Sequence, residues 1–200
     1  MPYPLWKRIF DVAFSIFGVA ATSVFFPFVA LAILIESGFP VFVRLKRVSG
    51  GKIVEVWKFR TMIRGAHGMK KTLMKYNERI DGPLFKIKKD PRLTGVGKFL
   101  RKLRIDEFPQ FFNVLLGELA LVGPRPHEPQ EIDAYPEEFK FISRARSGLT
   151  GLSQVSGASS LPFLKEIELD AEYLKNVSFR NDIKILFKTF FIFFFDPTGV

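Results

Sequence analysis

Residues 12–35 read VAFSIFGVAATSVFFPFVALAILI, 24 consecutive positions without a charge, bounded by Asp11 and Glu36. As one straight helix the run reaches about 36 Å at 1.5 Å per residue, enough to cross a hydrocarbon core of about 30 Å. A signal peptide has a shorter apolar core and a small-residue cleavage site ahead of a polar chain, and no such site follows here. The flanks argue against a simple span. Lys7 and Arg8 precede the run and Arg44, Lys46, Arg47 and Lys52 follow it, so both ends carry the basic residues that stay on the cytoplasmic face. Pro27, near the middle, removes a helix hydrogen bond and crowds the preceding turn, so a bend is expected there. A re-entrant helix-break-helix satisfies both observations, each half being too short to cross. Thr22 and Ser23, one turn before Pro27, are placed to satisfy the freed backbone groups. The competing reading is an ordinary spanning helix kinked at Pro27.

The chain has 200 residues, 48% of them apolar, with 30 Lys plus Arg against 20 Asp plus Glu and a net charge of +10. That is enough chain for one core, and too many apolar residues for disorder. A basic, apolar chain points to a polyanionic partner. With 24 Phe but only 4 Tyr and 2 Trp, the composition suits lipid rather than base stacking, and nucleic acid is not the expected partner. No Cys is present, and the two His, His67 and His127, stand apart. Thiol chemistry and a His-rich zinc site are thereby excluded, leaving carboxylate and arginine chemistry.

Charge is segregated. Residues 44–104 hold 19 basic and 4 acidic residues, whereas residues 105–141 hold 2 basic and 8 acidic. The basic block reads as a face held against anionic membrane lipid, with an anion-binding cleft as the sharper alternative.

The expected fold is α/β, mixed and helix-rich, with residues 1–39 as a re-entrant membrane helix and 40–200 as a small globular domain with interfacial amphipathic helices. Residues 40–47 and 53–59 form a hairpin around Ser49-Gly50-Gly51. Helices are expected over 66–80, 96–104, 109–116 (Pro109 opening, Gly117 closing) and 162–175, with a loop over 81–95. The Phe-dense stretch 183–195, carrying Lys184 and Lys188, suits a membrane interface.

Four segments carry candidate chemistry. Asp106-Glu107 stands just before the Pro109 helix, where the dipole and Lys98, Arg101, Lys102 and Arg104 are expected to lower both pKa values. An oxyanion is then available as nucleophile or magnesium ligand; acidic N-capping is the alternative. In Gly123-Pro124-Arg125-Pro126 two prolines restrict the backbone that presents a phosphate-binding guanidinium. The stretch 144–157, with Arg146 and Gln154, has glycines that let amides approach an anion, although it is neither a Walker loop nor GxGxxG. Lys58 and Arg60 lie in a run, 57–62, equally compatible with an edge strand.

In order, these pieces resemble the bacterial sugar transferase family, the monotopic phosphoglycosyl transferases. The resemblance rests on Lys7-Arg8 with Asp11, Lys58-Phe59-Arg60-Thr61-Met62, Asp90-Pro91-Arg92-Leu93-Thr94 and Gly97-Lys98-Phe99-Leu100-Arg101. It continues through Asp106-Glu107-Phe108-Pro109-Gln110, Asn113-Val114-Leu115, Leu121-Val122-Gly123-Pro124-Arg125-Pro126 and Gly148–Gly157. It implies transfer of a sugar 1-phosphate from a UDP-sugar to polyprenol (undecaprenyl) phosphate at the cytoplasmic face of the bacterial inner membrane, in a minimal catalytic form. Asp106 becomes the nucleophile of a phosphosugar-aspartyl intermediate, supported by Glu107, with Mg2+ at Asp106. Lys58, Arg60, Arg92, Arg125, Arg146 and Gln154 become phosphate- or substrate-binding residues. The rival function is a non-catalytic basic membrane anchor. Ser147 replaces a usual Pro, Ala158 a usual Arg and Arg104 a small polar residue, and Ser23 and Pro27 are separated where the family has a Ser-Pro pair.

Overall fold

A computed structural model describes residues 3–79, 81–157 and 160–195. The apolar run forms a single helix, α1 (Leu5–Ser37), with Pro27 inside it. It does not separate into two helices at Pro27, because Pro27 deprives only the Ser23 carbonyl of its helix donor and the remaining bonds carry the helix across. Nor do Thr22 and Ser23 serve the freed group. Their hydroxyls donate backwards to Gly18 O (2.7 Å) and Val19 O (2.9 Å), the back-bonding that bends helices.

Both ends of α1 are fastened to the rest of the molecule. Near its start Lys7 is buried with Asp182, Arg8 caps the carbonyls of Val114 and Leu115 (2.8 and 2.7 Å), and Asp11 accepts the Leu121 N–H (2.9 Å). At its end Glu36 accepts the N–H groups of Gly95 (2.6 Å) and Val96 (2.8 Å). Between them the buried residues are Ser15, Gly18, Thr22, Ala30 and Ile33, whereas residues 23–28 are exposed.

The hairpin forms as expected. β1 (Phe42–Ser49) pairs antiparallel with β2 (Lys52–Phe59), and Phe42 opposes Phe59. The connecting Gly50 and Gly51 both have positive φ, 62° and 74°, the geometry a two-residue hairpin turn requires. Of the helix expected over 66–80, only α2 (Lys70–Leu73) and a 3-10 turn, Met74–Tyr76, form, and Ile80 lies outside the described residues. Asn77 ends it: its amide group binds the backbone of Arg79, Leu84 and Lys86 and draws the chain into the 81–94 loop.

α3 (Gly95–Lys102) is N-capped by Thr94 (2.9 Å to Gly97 N), and α4 (Gln110–Leu116) follows a 3-10 turn, Ile105–Glu107. β3 (Ala120–Val122) pairs in parallel with β4 (Gly148–Thr150); α5 (Pro129–Asp133) lies between them in sequence. α6 (Leu152–Val155), α7 (Phe163–Lys175) and α8 (Phe179–Phe195) complete the chain. The main core joins Val56, Val114, Leu119, Leu121, Val122, Tyr173 and Ile185, so β2, α4, β3, α7 and α8 share one interior. A second cluster of Ile33, Phe59 and Leu100 ties α1 to the hairpin and α3.

Candidate active site

β2, α3 and α4 bring the charged residues together. Lys58 lies on the β2 face that also carries Val54 and Val56, just beyond the core, and its Nζ is 2.5 Å from Glu107 Oε1. Arg101, in the last turn of α3, donates through Nε to Thr61 Oγ1 (3.0 Å). The chain then turns sharply at Arg104, whose φ of 52° and ψ of 17° make it the only non-glycine residue at positive φ among the described residues. That left-handed turn presents Ile105–Glu107 ahead of α4. A Cβ there costs about 1 kcal/mol, and glycine, then asparagine or aspartate, tolerates the conformation best. Arg104→Gly is therefore expected to raise stability by about 1 kcal/mol, read as a higher unfolding midpoint in detergent.

The two carboxylates behave oppositely, against the expectation that both are lowered. Burial dominates at Asp106, which is 6% exposed, and pushes its carboxyl up to about 6; Lys58 and Arg101 offset only part of this, and Glu107 adds to it. At Glu107 burial also acts upward, but the Lys58 ammonium, with Arg125 and Arg104 nearby, holds it below the usual carboxylate range. Asp106 thus binds its proton more tightly folded than unfolded. Its contribution to stability is complete below about pH 4 and lost as pH rises through about 6. The wild type should lose stability relative to Asp106→Asn between about pH 4 and pH 7, visible in paired unfolding curves.

Arg125 is positioned by α7. Its backbone N–H donates to Asp170 Oδ2 (2.9 Å), and its Nε is 3.8 Å from Glu166 Oε2. Asp170 also accepts the Ser153 hydroxyl (2.7 Å), and its burial pushes the carboxyl up to about 7, opposed by these donors. Glu166 meets Arg79 at 2.8 Å through its other oxygen. Sequence reasoning missed both acids, although their signal is present: four residues apart, they share the buried face of α7 with Phe163, Ile167 and Ala171.

Other expected residues have protein partners. Arg60 donates to Phe39 O (3.0 Å), Ser37 Oγ (2.8 Å) and Gly38 O, closing the end of α1. Arg92 is buried against Asp90 (2.6 Å) and Ala66 O (3.2 Å). Arg146 stacks over Tyr3 at 4.0 Å, with a buried Nη1 lacking a partner among the described residues. Gln154 is buried beside Ser153 (3.2 Å). Gly148 and Gly151 do not form an open amide cradle: Gly148 N donates to Pro124 O (2.8 Å), and a Cβ on either would sit 2.1 Å from the Gly123 backbone. They serve the close approach of β4 to β3. Ser147 binds Val48 O (2.8 Å) and Ser49 Oγ (3.0 Å); Ala158 lies outside the described residues.

No three His, Asp or Glu residues converge as a metal cage among the described residues. Magnesium does not need one, since it takes one or two carboxylates and completes its shell with water and substrate phosphates. The adjacent Asp106 and Glu107 fit that requirement. Asp106 receives no hydrogen bond from another side chain among the described residues.

The chain matches the description "bacterial sugar transferase" over residues 3–196. It is 36% identical over 186 residues to the undecaprenyl-phosphate galactose phosphotransferase of Salmonella typhimurium, covering 92% of this chain and 39% of that protein. It is 37% identical over 184 residues to galactosyl transferase CpsE of Streptococcus agalactiae, covering 92% and 41%. With the exopolysaccharide production protein ExoY of Sinorhizobium fredii the identity is 35% over 187 residues, covering 92% and 83%. The chain thus spans about two fifths of the length of the first two relatives and most of the third. From the α1 seam to α8 the match takes in the site and the scaffold that holds it, and the chain belongs to the bacterial sugar transferase family.

Proposed function

We propose that the protein transfers a sugar 1-phosphate from a UDP-sugar to polyprenol (undecaprenyl) phosphate, giving polyprenyl-diphosphate-sugar and UMP. The observation that carries this reading is Asp106, a buried carboxyl with cations around it, in a chain of this family. A carboxylate oxygen of Asp106 attacks the sugar-linked phosphorus, and the bond to the bridging oxygen breaks, its electron pair leaving with UMP. A phosphate oxygen of the acceptor then attacks the same phosphorus and releases Asp106. Poor solvation makes the ionised Asp106 a stronger nucleophile. Glu107, held by Lys58, and Arg125, held by Asp170, flank the reacting phosphate. Asp106, with Glu107 beside it, would hold magnesium, which would supply the positive charge to offset two phosphates meeting a carboxylate.

The protein acts from the cytoplasmic face of the inner membrane, residues 1–39 forming a re-entrant element on the catalytic domain 40–200. Both ends of α1 are fastened to one globular body, and its exposed segment, 23–28, surrounds Pro27. A spanning helix would place its two ends on opposite faces of the membrane, where one globular body could not hold both. The chain has no Cys, so single cysteines at the exposed positions Leu5 and Phe39 report cleanly. Both are expected to resist an impermeant maleimide in spheroplasts and to react in inverted vesicles; labelling of either from outside would refute the re-entrant placement.

Function is tested by UMP release from the purified protein with magnesium, polyprenol phosphate and a panel of UDP-sugars. Acceptor-dependent release with a UDP-sugar is expected. Silence across the panel would favour the basic membrane anchor.

A further inference from the structure

A cavity of about 400 Å³ lies between the 86–94 loop and α3, lined by Lys88, Lys89, Lys98 and Arg101. The acid on its wall, Asp90, is neutralised by Arg92 at 2.6 Å. Among the described residues the three lysines have no ion-pair partner. A second cavity of about 640 Å³ shares Lys88 and Lys89 with the first and is lined by Leu73, Tyr76, Ile87 and Glu78. Across these shared walls an aromatic, apolar compartment adjoins a cationic one, and its one carboxylate, Glu78, accepts the Lys88 N–H through Oε1 (2.8 Å). The cationic compartment ends at Arg101, whose charge acts on Asp106.

We propose that this double cavity holds the nucleoside diphosphate part of the donor, the base and ribose beside Tyr76 and Glu78 and the diphosphate between Lys88, Lys89, Lys98 and Arg101. The proposal rests on the transfer reading above and adds where the donor lies. The order of chemistry along the cavities matches the order of groups in the ligand: a flat ring for an aromatic wall, hydroxyls for a carboxylate acceptor, then two phosphates for four cations. The sugar-linked phosphorus then falls at the Arg101 end, toward Asp106. The cations that bind the diphosphate also stabilise the phosphate that departs as UMP.

The test is equilibrium binding of UMP, UDP and pyrophosphate to the full chain in detergent. Lys88, Lys89 and Tyr76 are exposed, so substitutions there leave the fold standing. Lys88→Gln with Lys89→Gln is expected to weaken UDP about tenfold or more and to flatten its salt dependence. Tyr76→Ala is expected to weaken UMP and leave pyrophosphate unchanged. Unchanged UMP and UDP affinity in both the lysine and tyrosine variants would overturn the proposal, as would a loss confined to polyprenol phosphate. Transfer with an unaltered donor KM in those variants would remove the cavity from the account and leave the reaction. Nucleotide binding that follows the expected pattern in a protein that transfers no sugar phosphate would do the reverse.

Discussion

Asp106→Asn is expected to lower sugar-phosphate transfer by more than about 10⁴-fold, the scale on which a covalent nucleophile is lost, while leaving the fold intact. Asn is nearly isosteric with Asp, and at neutral pH the exchange removes a buried charge that burial disfavours. Stability should therefore be unchanged or higher as activity disappears. Glu107→Gln is the informative neighbour. It removes the partner of Lys58 at 2.5 Å and frees that ammonium to act on Asp106 alone. The pKa of Asp106 should then fall, because its carboxylate neighbour is gone and its cation is not. The ascending limb of the pH–rate profile, expected near pH 6 in the wild type, should shift to lower pH.

Lys7→Ala is expected to destabilise the protein by about 3–5 kcal/mol, the penalty for leaving one member of a buried ion pair unpartnered. Lys7 is 3% exposed and its partner Asp182 0%. The Tyr173 hydroxyl accepts from Lys7 Nζ (3.0 Å) and donates to Asp182 Oδ1 (2.7 Å), so the loss falls on α1, α7 and α8 together. Replacing both ions, Lys7→Met with Asp182→Leu, should recover much of the deficit because no uncompensated charge remains. Unfolding midpoints in detergent of the two single variants and the pair measure this. A single substitution without effect would mean that this junction does not hold α1.

How far the sequence reaches is clearest in particular elements. The hairpin was legible because Gly50-Gly51 admits few alternatives, and α7 because its apolar spacing is regular. The placement of Asp106-Glu107 was legible, since Pro109 marks the start of the helix that the two carboxylates precede. The electrostatics of the pair were not. Counting nearby cations predicts a lowered pKa, whereas burial, a tertiary property, sets the sign at Asp106. Basic residues posed the same difficulty. Lys7 and Arg8 read as cytoplasmic flank charges, yet one is half of a buried pair and the other caps α4. Arg60 and Arg92 read as phosphate ligands, yet they hold the end of α1 and the loop before α3. Sequence shows where charge stands along the chain, and the fold decides which charges meet each other. Gly148 and Gly151 show the same limit for shape: an amide cradle and a close strand pairing call for the same residue type.

The central claim is that Asp106 becomes covalently attached to the sugar phosphate. The most direct measurement is mass spectrometry of the full chain after brief exposure to magnesium and its UDP-sugar without polyprenol phosphate, followed by acid quench and peptide mapping. The account predicts a mass increase of one sugar phosphate on the peptide containing Asp106, discharged when polyprenol phosphate is added and absent from Asp106→Asn. Transfer at full rate with no adduct on that peptide at any time would contradict it.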